Sequence, residues 1–473
     1  MRRDAGLQVF GLEQSGRHIS TGEMPDVNKS AEEGDSFSSK VINRVFLVLL
    51  LDLLGFTLIL PLLPSIMDHY AQTGDAVYQS LQNVVDWFRE AVGIPMERKY
   101  NSVLFGGLIG SLFSLLQFLL SPMTGALSDT HGRRPMLILV TLGTMSSYAI
   151  WAVSRSFSMF LLFRVIGGIC KSNVTLCTAI VADLPCPKAR SRGMAMIGIA
   201  FSLGFTVGPL MGAYFATSYK STGNVFYQTP ALLGIGFSAA DLLFIWFMLP
   251  ETLSKDAKVS SSGFRDLLNP LSLFHFSAVT RTKDPPTKER MQKLQVLGLV
   301  YFCYLFLFSG LEFTLSFLTH QRFQFTSMQQ GKMFFFIGVV MALIQGGYAR
   351  RINPGQQIRT VCMAIVALIP AFILIGLSWN ITMLYIGLLL YSFAAATVVP
   401  CLSTLVSDHG LASQKGTVMG ILRSLGALAR AMGPVVASSV YWIAGAQTCF
   451  FLTSACFIIP LALLRTAGRQ KEE

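Results

Sequence analysis

Twelve stretches of this chain are each long and apolar enough to cross a lipid bilayer, and this feature leaves few folds open. A bilayer's hydrocarbon core is about 30 Å thick, so a spanning helix needs about 20 mostly apolar residues. The stretches cover residues 41–66, 102–120, 136–153, 157–182, 193–216, 230–249, 294–318, 331–348, 361–377, 383–406, 416–440 and 446–464. The sixth is short, and the ninth contains Pro370. All are continuous apolar runs, unlike the short alternating strands of outer-membrane barrels. Composition agrees, with 13% charged residues against about 25% in an ordinary globular domain. Several soluble domains, a disordered chain, collagen and a disulfide scaffold are excluded on the same grounds. The sequence reads as an all-α membrane protein with 12 transmembrane helices.

Polar stretches set the expected organisation. Residues 1–40 form a polar N-tail with no apolar core of a cleavable signal peptide. Residues 41–250 form a first six-helix bundle, with an outer loop at 68–101 that holds Trp87 and Phe88 and is expected to be partly folded. Residues 251–293 form a central loop, in which 264–276 has the apolar spacing of a surface helix. Residues 294–464 form a second bundle, and 465–473 a short C-tail. Of the 37 lysines and arginines, 26 fall on the side of the termini and 7 on the opposite side. That bias puts both termini in the cytosol. The net charge of +12 is then mainly a topology signal and a contact for lipid headgroups, and no nucleic-acid partner is implied.

Other chemistry is poorly supported. The eight cysteines form no C-x-x-C and none lies in the outer loop, so neither disulfides nor a metal site are expected. The sequons at Asn28, Asn173 and Asn380 are cytosolic, intramembrane and close to the membrane, and none is expected to carry a glycan. Residues 167–172 have the wrong spacing for a phosphate loop and lie inside an apolar stretch. No enzymatic motif and no cofactor is expected.

The two halves repeat. Asp183 precedes Pro209 by 26 residues, and Asp408 precedes Pro434 by the same interval. Gly208–Pro209 and Gly433–Pro434 stand at an offset of 225, and Gly125 matches Gly346 at 221. Gly55 pairs loosely with Gly310. Parallel repeats of this kind belong to transporters with a central site between pseudosymmetric halves.

Several motifs carry a family resemblance. G-A-L-S-D-T-H-G-R-R-P, starting at Gly125, resembles the loop 2–3 signature of the major facilitator superfamily. Arg164-Val-Ile-Gly-Gly resembles its helix-four motif, and Gly204-x-x-x-Gly208-Pro209 the antiporter motif of its drug/proton branch. Leu249-Pro-Glu-Thr resembles the motif that closes helix six, and Asp52 with Pro61 and Pro64 fits the helix-one pattern. Within the superfamily the chain is most similar to the vertebrate tetracycline-transporter-like branch. The resemblance implies the major facilitator fold and a carrier of organic anions, anti-inflammatory drug acids among them. It also implies the plasma membrane and the inner nuclear membrane as locations.

Residue chemistry refines this. Gly125 permits close helix packing, and Asp129 can sit at a helix N-terminus and pair with Arg133 or Arg134, a clasp able to close the cytosolic face. Arg350 stands where the second copy would need the acid, so the halves are not expected to be equally clasped. The pairs Gly208–Pro209 and Gly433–Pro434 read as a hinge or seal. Seven charges lie within helices: Arg164, Lys171, Arg423, Arg430, Asp52, Asp241 and Glu312. Each costs at least about 2.5–3.5 kcal/mol facing lipid, so each should face a cavity or a partner. Lys171 and Arg430 are the expected contacts for an anionic substrate, with Arg423, Asp52 and the aromatic rings of Tyr304 and Tyr391. A salt bridge from Lys171 to Asp52 is the alternative. Asp52 or Glu312 could carry a coupled proton, and by resemblance Arg164 is a coupling residue. Asp241 is the weakest candidate, because a sixth helix usually packs peripherally. Gln117, Asn173 and Gln345 are further polar candidates.

The expected function is secondary transport of a small amphipathic organic anion by alternating access, with a proton as possible co-substrate and a monomeric chain. A cationic or zwitterionic drug/proton antiporter is the first alternative. A non-transporting receptor or scaffold on the same fold is the second.

Overall fold

A computed structural model describes residues 27–60, 62–96, 98–220, 228–253, 267, 269–280 and 286–469. The first half contains α1 (Val27–Thr57), α2 (Leu63–Thr73), α3 (Ala76–Val92), α4 (Arg98–His131), α5 (Arg133–Val153), α6 (Phe157–Cys170), α7 (Asn173–Ala182), α8 (Pro187–Lys220) and α9 (Gln228–Met248). Two short helices follow, α10 (Pro270–Phe274) and α11 (Ser277–Thr280). The second half contains α12 (Lys288–Phe323), α13 (Ser327–Gly347), α14 (Gln357–Leu377), α15 (Ile381–His409), α16 (Lys415–Ala444), α17 (Ala446–Cys456) and α18 (Ile458–Arg469). No strand occurs among the described residues.

Ten helical spans among the described residues are long and apolar enough to cross a membrane, with α6–α7 and α17–α18 each forming one. The other two crossings are α1 and α16, which carry Asp52, and Arg423 with Arg430, among their apolar residues. Local signals fix many ends. Thr326 and Gln329 form a reciprocal cap on α13, Asn380 accepts from the Met383 amide at 2.8 Å, and Gly93 closes α3 in the left-handed conformation.

Each half is tied by the same contact. In the first, Gly204 and Gly208 of α8 lie on α1, where a Cβ at Gly208 would fall 1.8 Å from the Thr57 hydroxyl. Thr57 donates to the Gly204 carbonyl at 2.9 Å. In the second, a Cβ at Gly433 of α16 would fall 2.5 Å from the Phe306 carbonyl of α12. The Gly-Pro pairs therefore sit where the fifth helix meets the first and the eleventh meets the seventh. Between the halves, α4 packs on α16 and α8 on α13. Here Gly198 receives the Gln345 amide and Gly338 the Thr206 side chain.

The helices depart from the apolar stretches in instructive places. The first stretch, expected as one helix over 41–66, ends at Thr57, and a new helix begins with Pro64 in its first turn. Proline has no amide hydrogen to continue the ladder; Pro61 lies outside the described residues. At its other end α1 reaches back into the expected N-tail, of which residues 1–26 lie outside the described part. The outer loop folds as α2 and α3. Tyr78 stacks on Phe105 at 4.9 Å, Asp75 accepts from the Phe157 amide at 3.2 Å, and Trp87 remains exposed. In the central loop, the expected surface helix over 264–276 is described only at 267 and 269–276. There it forms α10 and a turn that buries Leu273 and Phe276 against the bundle.

Candidate functional site

The fourth crossing builds the centre. Its apolar run reads as one helix, yet it breaks after Cys170, where Lys171 takes ψ 59° and Asn173 starts α7. Broken helices at membrane depth are tolerated only inside protein, because their freed backbone groups need partners. Here the Lys171 carbonyl accepts from Gln117 Nε2 at 3.2 Å. The Lys171 ammonium lies 2.5 Å from Asp52 Oδ2, and both side chains are at most 5% exposed. It also sits over the Phe56 ring, 4.6 Å from its centroid. Phe56 meets Phe113 at 5.3 Å, and Phe113 lies under the Arg164 guanidinium at 5.1 Å. Arg164 Nε is buried with no hydrogen-bond partner.

The second half faces this set with Arg430, whose Nη2 lies 3.5 Å from Gln117 Oε1. Gln117 thus spans from Lys171 in one half to Arg430 in the other. Glu312 on α12 is exposed, has the Tyr391 hydroxyl as hydrogen-bond partner and lies within electrostatic reach of Arg430. Tyr301 also lies within reach of Arg430, and its hydroxyl is buried with no partner at bonding geometry. Arg423 shares a face with Arg430, since seven residues drift by only about 20° from two full turns. Arg423 is 8% exposed. None of Arg164, Arg423 and Arg430 forms an ion pair among the described residues.

Two expected residues fall elsewhere. Tyr304 is buried in the core of the second half, stacked on Phe308 at 5.3 Å, with its hydroxyl on the Ala394 carbonyl at 3.3 Å. It lies within electrostatic reach of Glu312 and Tyr301. Asp241, expected to be peripheral, is 1% exposed, because α9 packs against α1 and α5 rather than lying free. Gln345 accepts from Ser202 at 2.8 Å and donates to the Ala396 carbonyl at 3.3 Å. Asn173 is wholly buried, 3.5 Å from Thr141.

A second cluster closes the face that carries the basic loops. Asp129 accepts from the Gly416 and Thr417 amides at 2.9 and 2.7 Å, at the start of α16. It also pairs with Arg133 at 2.6 Å. A Cβ at Gly125 would lie 2.2 Å from the Gly416 carbonyl oxygen. Arg133, fully buried, reaches Asp183 at 2.9 Å as well. Burial pushes the Asp183 carboxyl up from the usual range and the Arg133 guanidinium pulls against it, so this carboxylate depends on the arginine for its charge. Arg134 stays out of the pair. Its amide meets Glu251 Oε2 at 3.1 Å, and its side chain donates to the Trp246 carbonyl.

The sequence reading left Arg190, Asp408 and Lys415 out of this cluster. Arg190 pairs with Asp408 across the halves at 2.8 Å, and Lys415 donates to the Ala182 carbonyl beside Asp183. The repeat carried the signal, for Arg190 and Lys415 differ by the same 225 residues as Asp183 and Asp408. Each cation crosses to the other half's end of the fourth or tenth helix. The mirrored contact at Gly346 is loose, its nearest neighbour being Ile199 at 3.9 Å, and Arg350 is exposed.

A duplicated six-helix unit with a central charge cluster and a glycine-lined clasp has a known counterpart. Residues 45–434 match the sequence profile of the Major Facilitator Superfamily. The chain belongs to the major facilitator superfamily. A relative from Bos taurus, major facilitator superfamily domain-containing protein 10, is 59% identical over 433 residues, covering 90% of this chain and 93% of the relative. A class D tetracycline resistance protein from Salmonella ordonez is 24% identical over 431 residues, covering 87% of this chain and 95% of the relative. Among solved structures, the human organic anion transporter MFSD10 (TETRAN) has a TM-score of 0.87 at 58% identity, with 90% of this chain and 99% of that chain covered. The Escherichia coli fucose:proton symporter shares the fold alone, with a TM-score of 0.63 at 13% identity over 90% of this chain and 98% of that one. As a member of the superfamily, this chain is a multi-pass membrane transporter and not an enzyme.

Proposed function

We propose that the protein is a secondary carrier of small amphipathic organic anions, which bind between its two halves and cross by alternating access. One observation carries this reading: Arg430, beside Gln117, and Arg423 on the same helix face form no ion pair among the described residues, whereas Lys171 is bonded to Asp52. An intramembrane arginine that is not ion-paired can take an anion, and its fork suits a carboxylate or sulfonate. The organic anion transport named for the human relative supports the same class. Tyr391, Glu312 and Gln117 shape the polar rim of the site. Transport is coupled to a proton carried by an intramembrane carboxyl, and those of the site itself are Asp52, bonded to Lys171, and Glu312, beside Tyr391. The face closed by Asp129 and Arg133 is the cytosolic one in this reading, which the 26 to 7 distribution of basic residues supports.

The test is counterflow of radiolabelled estrone sulfate, a permanently charged amphipathic anion, in proteoliposomes at equal pH. Arg423→Gln with Arg430→Gln should cut the initial rate at least about tenfold, since a charged hydrogen bond contributes about 1.5–3 kcal/mol. An unchanged rate, or equal competition by cationic dyes, would remove the anion site.

A further inference from the structure

Asp241 is a buried acid for which the transport site as described has no use. It lies in the middle of α9 with 1% of its surface exposed. Both carboxylate oxygens are buried without a hydrogen-bond partner. An ionised carboxylate in that setting has no donor to satisfy it, so its charge is costly to bury there.

Its neighbours leave it no counter-ion. The helix faces α1 and α5: Gly55 of α1 lies against Phe237, one turn before Asp241, and Tyr148 of α5 packs on Gly55 and Gly234. Asp52 of α1 and Lys171 at the break of the fourth crossing are within electrostatic reach of Asp241, and so is Cys177 of α7. Between Arg192 and Tyr214, α8 brings no titratable residue to this level. The facing groups are therefore Asp52, Lys171, Tyr148 and Cys177. Lys171 is the single cation among them, and it is bonded to Asp52 at 2.5 Å. Two carboxyls share one ammonium, and Asp241 is the surplus acid.

We propose that Asp241 is a proton-binding site of the carrier, holding a proton on its carboxyl in this state while Lys171 is paired with Asp52. This rests on the transport reading and deepens it by naming where the co-transported proton resides. Loss of the proton to water on one side of the membrane breaks the O–H bond at Asp241 and leaves a second carboxylate. That carboxylate then competes with Asp52 for the Lys171 ammonium. The exchange acts on the backbone break at Lys171, which Gln117 links to Arg430, and so couples protonation to the substrate cations.

Two measurements test it. In infrared difference spectra of the reconstituted protein between acidic and alkaline pH, wild type should show the carbonyl stretch of a buried protonated acid, and Asp241→Asn should lack it. This readout needs no substrate; a band unchanged by Asp241→Asn overturns the assignment. In proteoliposomes, wild-type uptake of estrone sulfate should change severalfold when a pH difference is imposed. Asp241→Asn should keep counterflow at equal pH but lose that response, and Asp241→Glu should restore it. An Asp241→Asn variant that still responds to the gradient sinks the proposal, as does counterflow lost in both variants, which would mark Asp241 as packing only. Wild-type counterflow with no gradient response removes the proton site and leaves the anion carrier standing. Absent wild-type counterflow removes the anion reading itself, even where the infrared band assigns a proton to Asp241.

Discussion

Breaking the Lys171–Asp52 pair at one end strands a buried charge, because Asp52 loses its cation or Lys171 keeps only Asp241 within electrostatic reach. Removing one member of a buried ion pair costs about 3–5 kcal/mol, whereas replacing both with apolar or neutral groups is often close to neutral. Asp52→Asn and Lys171→Met should therefore each lower the thermal midpoint of the detergent-solubilised protein by several degrees. The double variant should recover most of the loss. Equal and additive losses would mean that the pair is not coupled as the 2.5 Å contact implies. The sequence showed both residues as charges within apolar helices and offered their salt bridge as one alternative. Whether they meet depends on helix rotation and on the break at Lys171, which apolar content does not encode. Arg430 and Glu312 were legible as intramembrane charges in the same way. The burial of Tyr304 was not legible, because an aromatic ring in a membrane helix carries no sign of which side it faces, and its hydroxyl found a backbone carbonyl inside the bundle.

Closure of the basic face depends on two helices, α4 and α16, lying in backbone contact. A methyl at Gly125 would meet a backbone oxygen at 2.2 Å, and backbone cannot swing aside as a side chain can. Overpacking of this kind costs about 1–3 kcal/mol. In a two-state carrier that cost falls on the closed arrangement alone, so Gly125→Ala should shift the population toward opening by roughly tenfold. The readout is the rate at which a membrane-impermeant maleimide reaches Ser424→Cys, placed where the hydroxyl now bonds the Phe118 carbonyl. Gly346→Ala, whose nearest contact is 3.9 Å away, serves as the control and should leave the rate unchanged. Equal rates for Gly125→Ala and its parent would show that another contact holds the face shut. At this scale the crossings themselves were legible from hydrophobic length. The interruptions were less so: Pro64 marks the restart after α1, but the break between α6 and α7 is flanked only by Gly167, Gly168 and Ser172, weak signals in an otherwise apolar run.

The two halves of the molecule are held together by contacts of very different strength. Asp129, which bonds the Gly416 and Thr417 amides across the halves and is held by the fully buried Arg133, is almost fully buried, whereas Arg190–Asp408 keeps side chains 12% and 28% exposed. Exposed pairs contribute about 0.2–1 kcal/mol and weaken with salt, while buried ones are little screened. Arg190→Asp brings two carboxylates together across the halves and should speed labelling of Ser424→Cys severalfold at low ionic strength. Adding Asp408→Arg recreates the pair in reverse and should return the rate toward the parent value. High salt should shrink the effect of the single swap, because the repulsion lies near water. Arg133→Lys should behave otherwise: an ammonium cannot reproduce a guanidinium fork that meets Asp129 and Asp183 at once, so its effect should exceed that of Arg190→Asp and persist in salt. If salt erases the Arg133→Lys effect as well, the cluster is open to solvent and the two-layer account of closure fails. The 225-residue repeat makes the Arg190–Asp408 and Lys415–Ala182 contacts reciprocal, each half reaching for the end of the other's fourth or tenth helix. Only the first half adds Asp129, so the closed face hinges on one clasp, and the opening motion should begin where the second copy has none.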